Sequence, residues 1–349
     1  MKAVLLARRT ADRAPGGDML QLKETAQVLG QSGLAVHLAA TPREAIDTLT
    51  PGDTLHLWNA QRPWDWGSAP EAAKDRGARV LLTPLLHPTD LYHHEGRVGL
   101  DAAAARIVRD PERFAALRSG HWDARRRVRE VIALTDRVLL AHPREASMLE
   151  KWCGLLPKRT AVVPPAIPAI DPEDVTSPFE DFVLCAGRIE PLKNPLATLR
   201  AARRLHLPVV FVGSRVPGRH LAHGRRFRKL LGGRARWMGP VSPAHLRGLM
   251  RKARVHVLAS WTEVLGRVTV EAALEGCAVV ATEVGHAPAY LGTTGGATWV
   301  PPGDDEALTT ALADAWRRGR PKDGALREAA SSLLWEAVTP ALVGAYEGV

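Results

Sequence analysis

The sequence predicts an α/β protein built from two Rossmann-like domains, each a parallel sheet covered by helices, facing one another across a cleft. Three observations carry that expectation. Short, nearly continuous apolar runs such as Thr54-Leu-His-Leu-Trp58, Arg79-Val-Leu-Leu-Thr83 and Val255-His-Val-Leu-Ala-Ser260 recur between segments with helical periodicity, as strands buried on both faces require. A stretch rich in proline, Val162 to Pro178, interrupts the alternation midway and reads as a linker. The length of 349 residues suits two domains.

In order along the chain, Ala3 to Ala7 reads as a strand, followed by a loop to Gly16-Gly17 and a helix with Asp18 as its N-cap. Leu20, Leu22, Thr25, Val28 and Leu29 form the helix's apolar stripe, and Gly30 to Gly33 end it before a strand at Ala35 to Ala40. Further strands follow at Thr54, Arg79 and Arg137-Val-Leu-Leu-Ala141. Beyond the linker come a strand at Phe182 to Gly187, a helix from Pro195 and a strand at Pro208 to Gly213. A helix capped by Ser242 has Pro243 in its first turn, where proline costs no hydrogen bond. Strands at Val255 to Ser260 and Ala278 to Thr282 flank a helix from Val268 to Glu275, which Gly276 stops. The expected domains are 1–168 and 169–331, with 332–349 a terminal helix returning to the first. Ligands of such sheets lie at the carboxyl ends of the strands.

Composition narrows the class. With 46% hydrophobic and 24% charged residues the chain fits a soluble globular protein. Its first apolar run is too short for a signal peptide and no stretch approaches the ~20 residues of a membrane span, so a cytoplasmic location is expected. Cys153, Cys185 and Cys277 are odd in number and form no Cys-x-x-Cys, which argues for reduced, buried thiols. The formal charge is +10, and eight Arg or Lys residues without one acid lie between Arg215 and Arg236. A solvated basic face and attraction to an anionic membrane surface both account for this run. A nucleic-acid partner is not expected, because no zinc-finger spacing or aromatic RNA-binding signature accompanies the charge.

Chemistry concentrates in two segments. In Trp261-Thr-Glu-Val-Leu-Gly-Arg-Val-Thr-Val-Glu271, Glu263 precedes a helix start and Glu271 falls in the helix's second turn. A helix start offers unpaired N–H groups and partial positive charge to a phosphate, and carboxylates accept bonds from sugar hydroxyls. The geometry points to a nucleotide-sugar site. A solvated pairing of Glu271 with Arg267 is the plainer account of the second carboxylate. In Cys185-Ala-Gly-Arg-Ile-Glu-Pro-Leu-Lys-Asn194, a strand ending at Gly187 releases Arg188 and Lys193 ahead of a helix. Two cations there can neutralise a diphosphate leaving group. No Asp-x-Asp pair offers ligands for a metal-bridged diphosphate.

The pair of segments resembles the Gly-Arg-x-x-x-x-Lys-Gly/Asn loop and the Glu-x7-Glu signature of retaining glycosyltransferases of the GT-B fold, glycosyltransferase family four. The resemblance implies transfer of a sugar from a nucleoside diphosphate donor to an acceptor hydroxyl, without metal or other cofactor. It gives Glu263 the donor sugar, Glu271 the ribose, and Arg188 and Lys193 the diphosphate. It adds Gly17, Met238, Val264, Leu265 and Gly266 as donor-binding positions, and Gly16 on the acceptor side. His87 corresponds to a histidine found near the reactive centre in many relatives, with His93 and His94 close enough to substitute for it. A zinc site of the three histidines lacks a fourth ligand. Trp58 and Trp64, in a tryptophan-rich loop, are acceptor-binding candidates because flat aromatic faces suit sugars or lipids. Val300-Pro-Pro-Gly-Asp304 is similar to the family's late Pro-Gly-Asp turn, and Leu333 to Tyr346 to its terminal helix. Two departures stand out: Glu263-Val-Leu-Gly-Arg267 replaces Glu-Gly-Phe-Gly-Leu, and Val163-Pro-Pro-Ala-Ile167 replaces Pro-Asn-Gly-Ile/Val-Asp. The competing readings are a non-catalytic GT-B binding protein and a sugar-nucleotide epimerase.

Overall fold

The computed structural model describes residues 1–8, 16–215, 220–293 and 295–347. They divide into two compact units, one from Met1–Leu86, Glu112–Ala166 and Trp335–Val349, the other from His87–Pro111 and Ile167–Leu334. The first unit's sheet holds β1 (Lys2–Leu6), β2 (Ala35–Ala39), β3 (Thr54–Trp58), β4 (Arg79–Thr83), β5 (Arg137–Leu140) and β6 (Thr160–Val162), all parallel, in the order β2-β1-β3-β4-β5-β6. The second holds β7 (Val183–Ala186), β8 (Val209–Val212), β9 (Ala235–Trp237), β10 (Val255–Leu258), β11 (Ala278–Thr282) and β12 (Ala297–Val300), also parallel, in the order β12-β11-β10-β7-β8-β9. Both units are Rossmann-like, and each sheet reverses its winding beside its first strand, at β1/β3 and at β7/β10. Those switch points open crevices at the strands' carboxyl ends.

The apolar runs form strands because helices cover both faces. Leu55, Leu57, Val80 and Leu82 are fully buried in the first unit's core, together with Trp66 from the loop after β3. In the second unit Val183, Val209, Val255 and Phe211 fill one side of the sheet, while Leu184, Val210 and Phe182 fill another cluster.

Several details differ from expectation. Asp18 is not a cap: the helix Gly17–Gln31 begins after Gly16, and Asp18 lies in its first turn, where it pairs with Arg8 at 3.0 Å. Carboxylates are favoured in a first turn as well as at the cap, so composition alone does not separate the positions. The helix after Gly266 starts at Arg267, one residue earlier than predicted. The proline-rich stretch is anchored by backbone bonds at three points. Val163 N–H donates to Leu140 O at 2.8 Å in the first unit, while Ile167 N–H donates to Leu333 O at 2.9 Å and Glu173 N–H to Ala244 O at 3.1 Å in the second. Residues 87–111, read from sequence as part of the first domain, cluster with the second unit.

Candidate active site

At the β7/β10 switch point, backbone geometry sets out the side chains. Gly187 ends β7 against Gly213, whose φ is +137°, and a Cβ at Gly213 would lie 2.1 Å from Gly187 O. Only glycine allows the two loops to touch. Ile189 N–H then donates to Ser214 O at 2.9 Å, Pro191–Lys193 makes a single 3₁₀ turn, and Asn194 takes φ +48° before the helix Pro195–Arg204. Trp261 N–H donates to Leu192 O at 2.9 Å, which ties this loop to the one leaving β10.

The tie brings Lys193 Nζ into an ion pair with Glu263 Oε1. Ser260 Oγ donates to the same oxygen at 2.7 Å. Both charged side chains are largely buried, at 22% and 13% exposure, so solvent screens the pair only partly. Arg188 instead pairs with Glu190 at 2.8 Å, and its guanidinium is half-exposed beside that buried carboxylate. The backbone of Glu263 and Val264 is held from the loop after β11: His286 N–H donates to Val264 O at 2.8 Å, and a Cβ at Gly285 would stand 2.8 Å from both carbonyl oxygens. Gly266, at φ +76°, starts the helix Arg267–Leu274, which carries half-buried Glu271 in its second turn. Leu265 is buried beneath that turn.

Trp261 anchors the same loop. Its indole lies between Gly96 and Gly303; a Cβ at either would come within 2.7 and 2.4 Å of the ring, respectively. The Pro-Gly-Asp turn therefore supports the Glu263 loop directly. Met238 sits past β9, with its N–H on Phe211 O at 3.0 Å, and the neighbouring Gly239 O accepts from Gly213 N–H at 2.8 Å.

In the first unit a pocket lies at the β1/β3 switch point, lined by Arg8, Asp18, Trp58, Asn59, Asp65 and Trp66 among others. Gly16 packs beside it, since a Cβ there would lie 2.6 Å from Asp18 Oδ1, whereas Gly17 is open. Asn59 holds the left-handed φ of +64°. Trp64 is not among the lining residues; it stacks on His121 at 4.7 Å with the Arg62 guanidinium over its ring. His87 is half-buried after β4. His93 is buried with Nε2 at 2.9 Å from Val108 O, and burial pulls its pKa down. His94 is exposed and stacks edge-on against His93. The three cysteines are buried and unbridged, and burial pushes the Cys185 and Cys277 thiols up to about 12.

Glu145, Ser260, Gly213 and Gly285 escape sequence reasoning. Glu145, Gly213 and Gly285 act on residues far from them in the chain, Ser260 acts on a carboxylate three positions on that nothing in the sequence ties to it, and only the glycines after strands hint at a loop of unusual backbone.

A curated D-inositol 3-phosphate glycosyltransferase from Catenulispora acidiphila is 30% identical over 310 residues, covering 81% of this chain and 68% of that protein. The family model described as glycosyl transferases group 1 matches residues 180–318. The chain belongs to the group 1 glycosyl transferases. The transferase is also 31% identical over 241 residues to a D-inositol 3-phosphate glycosyltransferase from Geodermatophilus obscurus, spanning about half of it, 53%. Its GT-B fold matches a sucrose-phosphate synthase from Thermosynechococcus elongatus, with a TM-score of 0.76 at 19% identity over 100% of this chain and 99% of the other. The Anabaena protein HepE, solved in complex with UDP-glucose, gives 0.71 at 16% identity, with 100% of both chains covered.

Proposed function

We propose that this transferase moves a sugar, with retention and without a metal, from a nucleoside diphosphate-sugar bound at the β7/β10 switch point to an acceptor hydroxyl. The observation that carries the reading is the Lys193–Glu263 pair with Ser260 on the same carboxylate oxygen. An ammonium has three donors, so Lys193 keeps two for phosphate oxygens while Glu263 aims it. Both bonds to Glu263 fall on Oε1, which leaves Oε2 to accept from a donor-sugar hydroxyl. The backbone at Val264, Leu265 and Gly266 borders the same sugar, and Glu271 holds the ribose. Gly17 and Met238 complete the donor contacts.

The acceptor oxygen attacks the anomeric carbon on the face the diphosphate leaves; the carbon–phosphate oxygen bond breaks, and the departing phosphate oxygen takes the hydroxyl proton. Arg188, Lys193 and the N–H groups at the start of Arg267–Leu274 stabilise the charge that develops. His87 contributes next to the reacting carbon. On the acceptor side, Gly16 and Trp58 belong with the pocket of Arg8, Asp18 and Asn59, and Trp64 acts from its rim.

The test is hydrolysis and transfer with UDP-glucose and a panel of other nucleoside diphosphate-sugars, in the presence of a chelator, with the product anomer read by NMR. Removing a preorganised charge of this kind costs roughly 10²–10³ in turnover, and Glu263→Ala and Lys193→Ala are each expected to lose that much. Turnover unchanged in both variants, or abolished by the chelator, overturns the proposal.

A further inference from the structure

Exposed large hydrophobic side chains are not spread evenly along this chain. Leu91, Val98, Leu100, Ile107, Leu117 and Trp122 fall in one short stretch of sequence and make up half of all such side chains among the described residues. The helix Gly99–Ile107 is the clearest case. Leu100 is 90% exposed and Ile107 84%, and Ala103 and Ala104 between them are exposed too. These four stand at i, i+3, i+4 and i+7, the spacing of a continuous apolar stripe. The stripe faces water, while Ala105 is the residue the helix buries. A stripe of this kind marks a surface that something covers.

Charge selects the occupant. A second copy of the chain would bring its own +10 to the contact, and net charge of that size opposes self-association. Arg106 and Arg109 are exposed beside the stripe, and Asp101, the one acid of the helix, is half-buried. In the same unit the helix Leu221–Leu230 presents Arg225, Arg226, Arg228 and Lys229 to solvent and contains no acid. It buries His223, Gly224 and Phe227 and leaves Leu221 exposed at its start, so its four cations act chiefly through charge. A nucleic acid would use the cations and leave Leu100 and Ile107 wet. An anionic bilayer uses both, with apolar side chains in the acyl boundary and arginines among the headgroups.

We propose that the helix Gly99–Ile107 docks this transferase on an anionic bilayer, with the basic face of Leu221–Leu230 supplying the headgroup attraction. The docking needs no particular donor and stands apart from the turnover chemistry. Flotation with vesicles of phosphatidylglycerol and phosphatidylcholine in equal parts tests it, against pure phosphatidylcholine and against duplex DNA. The wild type binds the mixed vesicles at low salt, and added salt weakens the binding. Leu100→Gln with Ile107→Gln should weaken it roughly tenfold or more, since each large side chain transferred is worth about a factor of ten. Arg225→Gln with Arg226→Gln and Arg228→Gln should remove most of the preference for the anionic lipid. Hydrolysis of UDP-glucose and far-ultraviolet circular dichroism stay unchanged in both variants, so a fault in the donor reading or in folding is seen separately. No vesicle binding at low salt overturns the proposal. So does equal binding by the Leu100/Ile107 variant, DNA binding tighter than vesicle binding, or a wild-type dimer that this variant dissolves.

Discussion

Lys193 and Glu263 are seventy positions apart and meet on one carboxylate oxygen, while Glu145 shows a different use of a carboxylate. Fully buried, it accepts the N–H of Leu86 at 2.6 Å and of Ala141 at 2.7 Å, joining the ends of β4 and β5. It braces the turn at Leu85, a non-glycine residue at φ +49° just before His87. Burial pushes the Glu145 pKa from its ordinary 4.5 up to about 7. Between those two values the folded chain keeps a proton that the unfolded chain has lost, so stability falls as pH rises through that window and levels off above it. The expected size is on the order of 3 kcal/mol. Glu145→Gln cannot ionise, so relative to wild type it should gain about that much on going from about pH 5 to about pH 8. Urea unfolding at the two pH values checks it; an unchanged difference between the proteins refutes the assignment. The positions of Arg188, Lys193 and Glu263 just after β7 and β10 were legible because each apolar run ends in a glycine or serine, with charged residues in the loop that follows. Ser260 was not, since a serine after a strand looks like any loop residue until the carboxylate it touches is known.

At the level of elements, the strands were the most legible part of the fold. Val255 to Leu258 and Ala278 to Thr282 are mostly apolar and buried on both faces, as strands of a covered parallel sheet are. The helix Pro243–Lys252 was equally plain, with Ser242 Oγ accepting His245 N–H at 3.1 Å. The helix Gly99–Ile107 and the strand β6 left no such mark. One turns its apolar stripe outward, and the other is three residues long with two of them exposed. The glycine contact between the loops after β7 and β8 was likewise invisible, because it depends on which strands are neighbours. Its consequence is measurable. Gly213→Ala places a methyl on Gly187 O and asks alanine for a φ of +137°. The loop carrying Arg188 and Lys193 must shift, and a loss of roughly 3 kcal/mol or more in thermal or urea unfolding is expected. Gly233→Ala, at a positive φ with open space around it, should cost only about 1 kcal/mol.

For the molecule as a whole, the two-unit plan followed from the alternation of strands and helices, but the excursion of residues 87–111 did not. Residues 87–111 leave the first unit's sequence and pack with the second, and Trp335 onward returns. The return is secured by Tyr346, wholly buried, whose hydroxyl lies 2.6 Å from His56 Nδ1; His56 Nε2 in turn lies 2.7 Å from Thr83 Oγ1. Tyr346→Phe leaves a buried imidazole nitrogen without its partner, at a cost of about 1–3 kcal/mol. A melting temperature equal to wild type would show that the contact contributes nothing.

That contact spans 290 residues, and it sets a timetable. Domains usually fold as they leave the ribosome, the N-terminal one first. Here the first unit cannot close over His56 until Tyr346 has been made, by which time every strand of the other unit has been synthesised. The unit whose strands come first along the chain is completed after the strands of the other are made.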